Sequence, residues 1–158
     1  VLLVLVPRHP ERFEQVARLC TDAGFTLARR SAKDSVIGAD ILLGDSMGEL
    51  TAFFGACDIA FVGGSLVPTG GHNMIEPAAW NVPVLAGPHL FNFTEVSQLL
   101  LAHDAMRVCE TEEQLVEQSL ELLGDKQQRN AMGEAAGLVA EGNRGALAKL
   151  VAIIAGLI

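Results

Sequence analysis

Short apolar runs alternate with stretches of helical spacing along most of the chain. The first run, Val1–Val6, is continuously aliphatic, which is typical of a strand covered on both faces of a parallel sheet. Pro10 stands where a helix often begins, apolar residues recur at helical spacing from Phe13, and Gly24 predicts the end of that helix. A second apolar run, Phe25–Arg29, follows and predicts the next strand.

The same alternation repeats up to the last residues. The predicted strands after the first two are Ile41–Leu43, Asp58–Val62, Pro83–Ala86 and Met106–Cys109. The predicted helices after the first are Gly48–Gly55, Asn73–Trp80, Phe93–His103, Thr111–Leu123 (opened by a capping box), Lys126–Ala140 and Arg144–Leu157. Repeated strand–helix–strand units predict one α/β domain, a parallel sheet with helices on both faces.

Composition narrows the class of protein. The chain has 158 residues, 50% of them hydrophobic and 19% charged, so it can bury a core and is not intrinsically disordered. A formal net charge of −8 argues against a nucleic-acid protein that works through a basic groove. No apolar stretch reaches the roughly 20 residues that a membrane span needs. The chain opens inside an apolar run at Val1, which suggests a piece of a longer protein.

The three cysteines, Cys20, Cys57 and Cys109, lie far apart in the sequence. This spacing fits neither a metal knuckle nor a disulfide framework, and the apolar neighbours predict buried thiols. Free thiols favour a reducing compartment, so we expect a soluble cytoplasmic chain.

Unusual polar sequence follows three of the predicted strands. These segments are Pro7–Arg12, Gly44–Leu50 and Gly63–Pro77. Because ligands of parallel sheets bind beyond the carboxyl ends of the strands, the three segments predict a ligand site at that edge.

The third segment is rich in glycine and precedes a predicted helix. Asn73 is a favourable N-cap, and the N–H groups at a helix start can hold an anion. Glu76, on the first turn, suits the paired hydroxyls of a ribose better than a phosphate. Four glycines would permit tight bends and close approach of a ligand: Gly63, Gly64, Gly70 and Gly71.

A cation is available at the same predicted edge. Arg8 follows the first strand, so its guanidinium and the helix start at Asn73 could meet at one phosphate. The GxGxxG fingerprint and the P-loop lysine are absent, which disfavours those two nucleotide sites. Other interpretations stay open, because the glycine-rich loop also suits a plain turn, and Arg8 and Arg12 could pair with Glu11 and Glu14 at the surface.

Other conspicuous residues have structural interpretations. His72 and Glu76 have the spacing of a metal pair but lack a third ligand nearby, so no metal is expected. His103 is expected to end a helix, and Ser65 lacks the G-x-S-x-G elbow of a hydrolase. Aromatic side chains are expected to pack rather than stack on a ligand: Trp80, Phe53, Phe54, Phe61, Phe91 and Phe93.

Four ordered motifs resemble those of transferases of Kdo (3-deoxy-D-manno-octulosonic acid). They are Pro-Arg-His-Pro-Glu-Arg-Phe at 7–13, Gly-Asp-Ser-Met-Gly-Glu-Leu at 44–50, Gly-Gly-Ser-Leu and Gly-Gly-His-Asn-Met-Ile-Glu-Pro within 63–77, and Gly-Pro-His-Leu-Phe-Asn-Phe at 87–93. The resemblance covers residues 1 to about 110. It implies the Rossmann-like C-terminal half of a GT-B glycosyltransferase, lacking the first strand–helix unit of that half. Residues 1–158 would then be a single donor-binding domain from a longer two-domain enzyme.

The resemblance also implies where CMP is held. Arg8 and the helix start at Asn73 would contact the phosphate, Glu76 the ribose, and the backbone of the Met47–Glu49 segment the cytosine. The implied nucleotide contacts are Pro7, Arg8, Met47, Gly48, Glu49, Asn73, Met74, Ile75 and Glu76. Sugar and phosphate contacts are expected at Gly63, Gly64, Ser65, Gly71 and His72.

Kdo transferases move Kdo from CMP-Kdo to a lipid A precursor in Gram-negative lipopolysaccharide synthesis, at the cytoplasmic face of the inner membrane. The resemblance implies an inverting reaction without a cofactor. The family's glutamate base lies in the acceptor half, so this chain is expected to bind CMP but to transfer nothing alone. An absent first unit would leave an apolar sheet edge that favours self-association. The alternatives are a UDP-sugar epimerase-type domain of GT-B architecture and a non-catalytic α/β packing domain.

Overall fold

A computed structural model describes residues 1–143, and the chain forms two compact units. The first unit spans Val1–Phe53, and the second begins at Phe54. The predicted helix Arg144–Leu157 lies outside the described residues. The single donor-binding domain expected from the sequence stays a prediction.

The first unit contains a three-stranded parallel sheet. Its strands are β1 (Leu3–Leu5), β2 (Leu27–Arg29) and β3 (Ile41–Leu43), in the order β1-β3-β2. A 3-10 turn (Pro10–Arg12) leads into α1 (Phe13–Asp22), and α2 (Leu50–Phe54) follows β3. Because the strands are parallel, the segments that follow β1, β2 and β3 all leave the same edge of this sheet.

Sequence signals explain how α1 begins and ends. Pro10 occupies the start of the 3-10 turn, where its missing N–H costs no hydrogen bond. Gly24 has a φ of 87°, a left-handed conformation that favours glycine just past a helix end. Between these signals α1 buries Ala17 and Cys20. The predicted start and stop of this helix are confirmed.

The second unit contains another three-stranded parallel sheet, in the order β4-β5-β6. Its elements in the described residues are β4 (Ala60–Val62), α3 (Ile75–Ala78), β5 (Val84–Ala86), α4 (Thr94–Ala102), β6 (Met106–Val108), α5 (Glu112–Gly124) and α6 (Lys126–Asn143). At the start of α5 the predicted cap is confirmed, since Thr111 Oγ1 accepts from the Gln114 N–H at 3.3 Å. The reciprocal hydrogen bond of a capping box differs: Gln114 Oε1 accepts, at 2.8 Å, from the N–H of Glu110, one residue before the cap.

The central strand of this second sheet carries the core on both of its faces. Successive side chains of a strand point to opposite faces. Val84 and Ala86 accordingly belong to a cluster with Leu100 of α4, whereas Leu85 belongs to a second cluster with Leu122 of α5. The three strand residues are fully buried, so helices cover β5 on both sides. The same was expected of the apolar run at the start of the chain, but Leu3 in β1 is 52% exposed, so that expectation is wrong.

The α/β class with parallel strands and flanking helices is confirmed. One sheet was expected, whereas the backbone hydrogen bonds within residues 1–143 group the six strands into two sheets of three. Hydrophobic periodicity identifies which segments are strands but carries no information on which strands pair, so this difference could not be read from the sequence.

Several smaller expectations have mixed outcomes. Cys20 and Cys109 are buried as predicted, but Cys57 is only partly buried. Burial raises the pKa of the Cys57 and Cys109 thiols.

His103 ends α4, as expected, with its ring Nδ1 2.9 Å from the Leu99 carbonyl oxygen. Phe93 packs against the core, but Phe91 is 62% exposed.

Within the described residues, no helix combines the length and apolar character required to cross a bilayer.

Candidate functional site

Loops from all three strands of the first unit meet at the carboxyl edge of its sheet. Pro7 and Arg8 follow β1, Arg30 and Ser31 follow β2, and a loop of residues 45–49 follows β3. We call the last of these, Asp-Ser-Met-Gly-Glu, the 45–49 loop. It contains the predicted cytosine contacts, and charged pairs attach it to the end of β2.

Asp45 anchors the start of the 45–49 loop. Its buried carboxylate accepts hydrogen bonds from Arg29 Nε at 2.9 Å, from the Ser31 N–H at 2.8 Å and from the Ser31 hydroxyl at 2.7 Å. Burial alone would raise the pKa of Asp45, but these donors outweigh it and hold the pKa below its ordinary value. Arg29 also pairs with Glu14 of α1 at 2.5 Å. The loop is thereby fixed to both β2 and α1.

We predict that Asp45→Asn lowers the stability of the first unit at neutral pH by about 1–3 kcal/mol, because an amide cannot accept all the hydrogen bonds of the buried carboxylate. Since the pKa of Asp45 is lowered by folding, its contribution is complete above its unfolded pKa of about 3.9 and is lost as the pH falls through the folded pKa. Urea denaturation at a series of pH values measures the contribution of Asp45 to the free energy of unfolding. The variant should lose less stability than the wild type on acidification below about pH 4, and equal acid sensitivity would contradict the role.

Glu49 anchors the other end of the 45–49 loop. Its Oε1 lies 2.6 Å from Arg30 Nη2 and 3.2 Å from Arg30 Nε, and its Oε2 accepts from the Ser46 hydroxyl. The Ser46 hydrogen bond and the Arg30 pair lower the pKa of Glu49, so the carboxylate stays ionised. Both carboxylate oxygens therefore have partners within the protein. What this part of the loop offers a ligand is its backbone.

The tip of the 45–49 loop is accessible. Met47 is 69% exposed, and Gly48 has a φ of 81°, a conformation that a side chain would strain. The peptide groups of Met47 and Gly48 thus lie at the surface between two anchored ends. This arrangement fits the predicted backbone contact to a base.

In the second unit the glycine-rich segment folds back on itself. Gly64, Gly70 and Gly71 have φ values of 71°, 93° and 75°, so the expectation of tight bends is confirmed at these positions. The Gly71 N–H and the Thr69 hydroxyl both donate to the Gly64 carbonyl, at 2.9 and 2.6 Å. Asn92 Nδ2 donates to the Thr69 carbonyl at 3.0 Å. The segment is therefore an ordered loop that the 87–93 motif helps to hold.

Ser65 has a different role from the one expected. It was predicted to flank the phosphate and sugar, but it is fully buried. Its hydroxyl donates to the Val62 carbonyl and accepts from the Gly87 N–H at 2.8 Å, while its carbonyl accepts from the His89 N–H at 2.9 Å. These bonds occupy the hydroxyl, so it links the loops after β4 and β5 rather than facing a ligand.

The helix after the glycine-rich segment is shorter than expected. The sequence predicted Asn73–Trp80, whereas α3 spans Ile75–Ala78. Asn81, in the turn that follows the helix, has a φ of 56°. Asn73 was expected to be the N-cap, but Met74 holds that position and makes no side-chain capping hydrogen bond. Asn73 lies one residue earlier, where its Oδ1 accepts from the Ile75 N–H at 3.2 Å and its Nδ2 donates to Glu76 Oε1 at 3.0 Å. A single turn has a small dipole, so any anion here would depend on direct hydrogen bonds.

The remaining predicted contacts in this segment differ in exposure. Met74 is fully buried in the core, so its side chain cannot meet a nucleotide. Gly71 is buried, whereas His72, Ile75 and Glu76 are partly exposed. Within residues 1–143, no three side chains of the metal-binding types lie together. The predicted meeting of Arg8 with Asn73 at one phosphate stays a prediction.

Sequence reasoning missed the contribution of β2. Arg29, Arg30 and Ser31 supply the donors that anchor the 45–49 loop, yet none of them was singled out. The available signal was two consecutive arginines at the carboxyl end of a predicted strand, at the same sheet edge as Asp45 and Glu49.

Comparison with known proteins places the chain in a family. No protein-family model matches it. The crystal structure of the C-terminal CMP-Kdo binding domain of WaaA from Acinetobacter baumannii matches with a TM-score of 0.83 and 36% identity, covering 86% of this chain and 72% of that one. The chain belongs to the 3-deoxy-D-manno-octulosonic acid transferase (Kdo transferase) family. The resemblance inferred from the four sequence motifs is confirmed.

Curated Kdo transferases agree with this assignment. The enzyme of Haemophilus influenzae is 44% identical over 98% of this chain, and that of Bordetella pertussis is 41% identical over 85%. The chain spans about a third of the length of these relatives, 36% and 32% respectively. It therefore corresponds to the C-terminal part of a Kdo transferase.

Proposed function

We propose that this chain binds CMP-Kdo and presents it for transfer of Kdo to a lipid A precursor. The observation that carries the proposal is the match, at a TM-score of 0.83 and 36% identity, to a domain described as the CMP-Kdo binding domain of WaaA. The accessible, anchored 45–49 loop supports it, since a base can be read by fixed peptide groups.

Each predicted contact is assigned to one part of the donor. In the first unit, Arg8 would neutralise the phosphate beside Pro7, and the backbone of Met47–Glu49 would contact the cytosine. In the second unit, Glu76 would accept hydrogen bonds from the ribose hydroxyls. The resemblance to Kdo transferases also implies a phosphate contact for the backbone N–H groups near Asn73.

The proposed part of this chain in catalysis is electrostatic. During glycosyl transfer positive charge develops on the sugar while CMP leaves, and a guanidinium that holds the phosphate stabilises the departing group. The base that activates the acceptor hydroxyl would come from the remainder of the longer enzyme. That enzyme would work without a cofactor, at the cytoplasmic face of the inner membrane.

Titration with CMP, UMP and UDP tests the proposal, with backbone amide shifts followed by NMR. We expect CMP to bind most tightly and to shift the amides of Arg8, Met47–Glu49 and Asn73–Glu76. Preference for UDP would favour an epimerase-type domain, since such enzymes hold a diphosphate. No response to any of the three nucleotides would contradict nucleotide binding.

A further inference from the structure

We propose that Arg30 is a positioning residue for base selection: it holds Glu49 so that the 45–49 loop distinguishes cytosine from uracil. The inference rests on the proposed function and deepens it. Its basis is that the side chains of β2 and of the residues after it fix both ends of the loop, while the tip between them stays accessible.

The ion pairs at the two ends of the 45–49 loop differ in how far they are buried. Asp45 is buried and joined to Arg29, which also pairs with Glu14, so this anchor is part of the packing of the first unit. The Arg30–Glu49 pair is more open, with side chains 43% and 34% exposed. Removing Arg30 should therefore release one end of the loop without unfolding the unit.

Base selection by peptide groups requires a fixed backbone. Cytosine presents an amino group and a ring acceptor where uracil presents a carbonyl and an N–H, so the two bases demand opposite hydrogen-bonding partners. A mobile loop can reorient its peptide groups to satisfy either base, whereas an anchored loop leaves the wrong base unpaired. Both carboxylate oxygens of Glu49 already have partners, Arg30 and Ser46. The Glu49 side chain therefore fixes the conformation of the 45–49 loop and does not itself bind the base.

The test compares Arg30→Ala and Arg30→Lys with Arg18→Ala as control, since Arg18 is an exposed arginine on α1. NMR titrations with CMP, UMP and ribose 5-phosphate give three affinities for each variant. We expect Arg30→Ala to reduce the ratio of CMP to UMP affinity by about threefold to fivefold, the scale set by a partly exposed ion pair. Its affinity for ribose 5-phosphate should not change. Arg30→Lys should restore part of the ratio, and Arg18→Ala should leave all three affinities intact.

A double variant shows whether Arg30 acts through Glu49. If it does, Arg30→Ala combined with Glu49→Ala has the same base preference as Glu49→Ala alone. An Arg30→Ala variant that keeps the wild-type ratio overturns the inference and leaves the proposed function standing. Equal losses for CMP and ribose 5-phosphate also overturn it, because they indicate a general disturbance. A wild-type chain that binds CMP and UMP equally overturns the inference alone, and one that binds neither overturns both proposals.

Discussion

Gly87→Ala is expected to destabilise the second unit by about 3 kcal/mol or more, at the upper end of overpacking effects. Gly87 follows β5 directly, and a Cβ added there would lie 2.3 Å from the Ser65 carbonyl oxygen and 2.5 Å from the Leu66 nitrogen. Both are backbone atoms, so relief requires the loops after β4 and β5 to separate. Separation would also break the hydrogen bond from the Gly87 N–H to the Ser65 hydroxyl, at 2.8 Å. Urea denaturation followed by circular dichroism measures the change.

Gly124→Ala is the matched control for this substitution. Gly124 is the last residue of α5, and a Cβ there would meet no atom within 4 Å. Because alanine favours helix more than glycine does, the control should be unchanged or more stable by up to about 1 kcal/mol. Were Gly87→Ala to unfold at the same urea concentration as the control, the close contact between Gly87 and Ser65 would not constrain the loops.

Arg8→Ala is expected to weaken CMP binding by about 1.5–3 kcal/mol, the usual contribution of a hydrogen bond to a charged group. The effect should depend on the phosphate, since the guanidinium is assigned to that group. Calorimetric titration with CMP and with cytidine separates the two contributions: the variant should lose affinity for CMP, and its affinity for cytidine should match that of the wild type.

Arg12→Ala controls for the loss of general positive charge near Arg8. Arg12 ends the 3-10 turn that follows Arg8 and is also exposed. Arg12→Ala removes one positive charge, as Arg8→Ala does. It should nevertheless change the affinity for CMP little, because exposed charges are screened by solvent and salt. Equal losses from the two substitutions, or an unchanged affinity of Arg8→Ala, would remove Arg8 from the phosphate site.

The Gly87→Ala and Arg8→Ala substitutions test different properties of the molecule. Gly87 contacts Ser65, whose carbonyl also receives the His89 N–H at 2.9 Å, so its substitution tests how the glycine-rich segment is held. Arg8 is exposed, so its substitution tests a ligand contact with little effect on folding. Measuring both stability and CMP affinity for each variant therefore separates loop architecture from recognition.

Interactions between residues close in sequence made most helices and strands predictable. Proline at the start of a helix, glycine at its end and the Thr111 cap depend on interactions within a few residues, and the structure confirms them. The same holds for Gly64, Gly70 and Gly71, whose positive φ values belong to bends encoded locally. The four ordered motifs were also sufficient to indicate the Kdo transferase family, because they keep their order and residue types along the chain.

Contacts between distant segments were decided by the tertiary structure. The grouping of six strands into two sheets within residues 1–143 depends on pairing between segments far apart in sequence, which a hydrophobic pattern does not specify. Ser65 looks like a ligand residue in a glycine-rich motif, but packing of the loops after β4 and β5 buries its hydroxyl. The anchoring of Glu49 by Arg30 joins residues 19 positions apart. Sequence thus determined the elements and the family, while three-dimensional packing determined which polar groups remain available to a ligand.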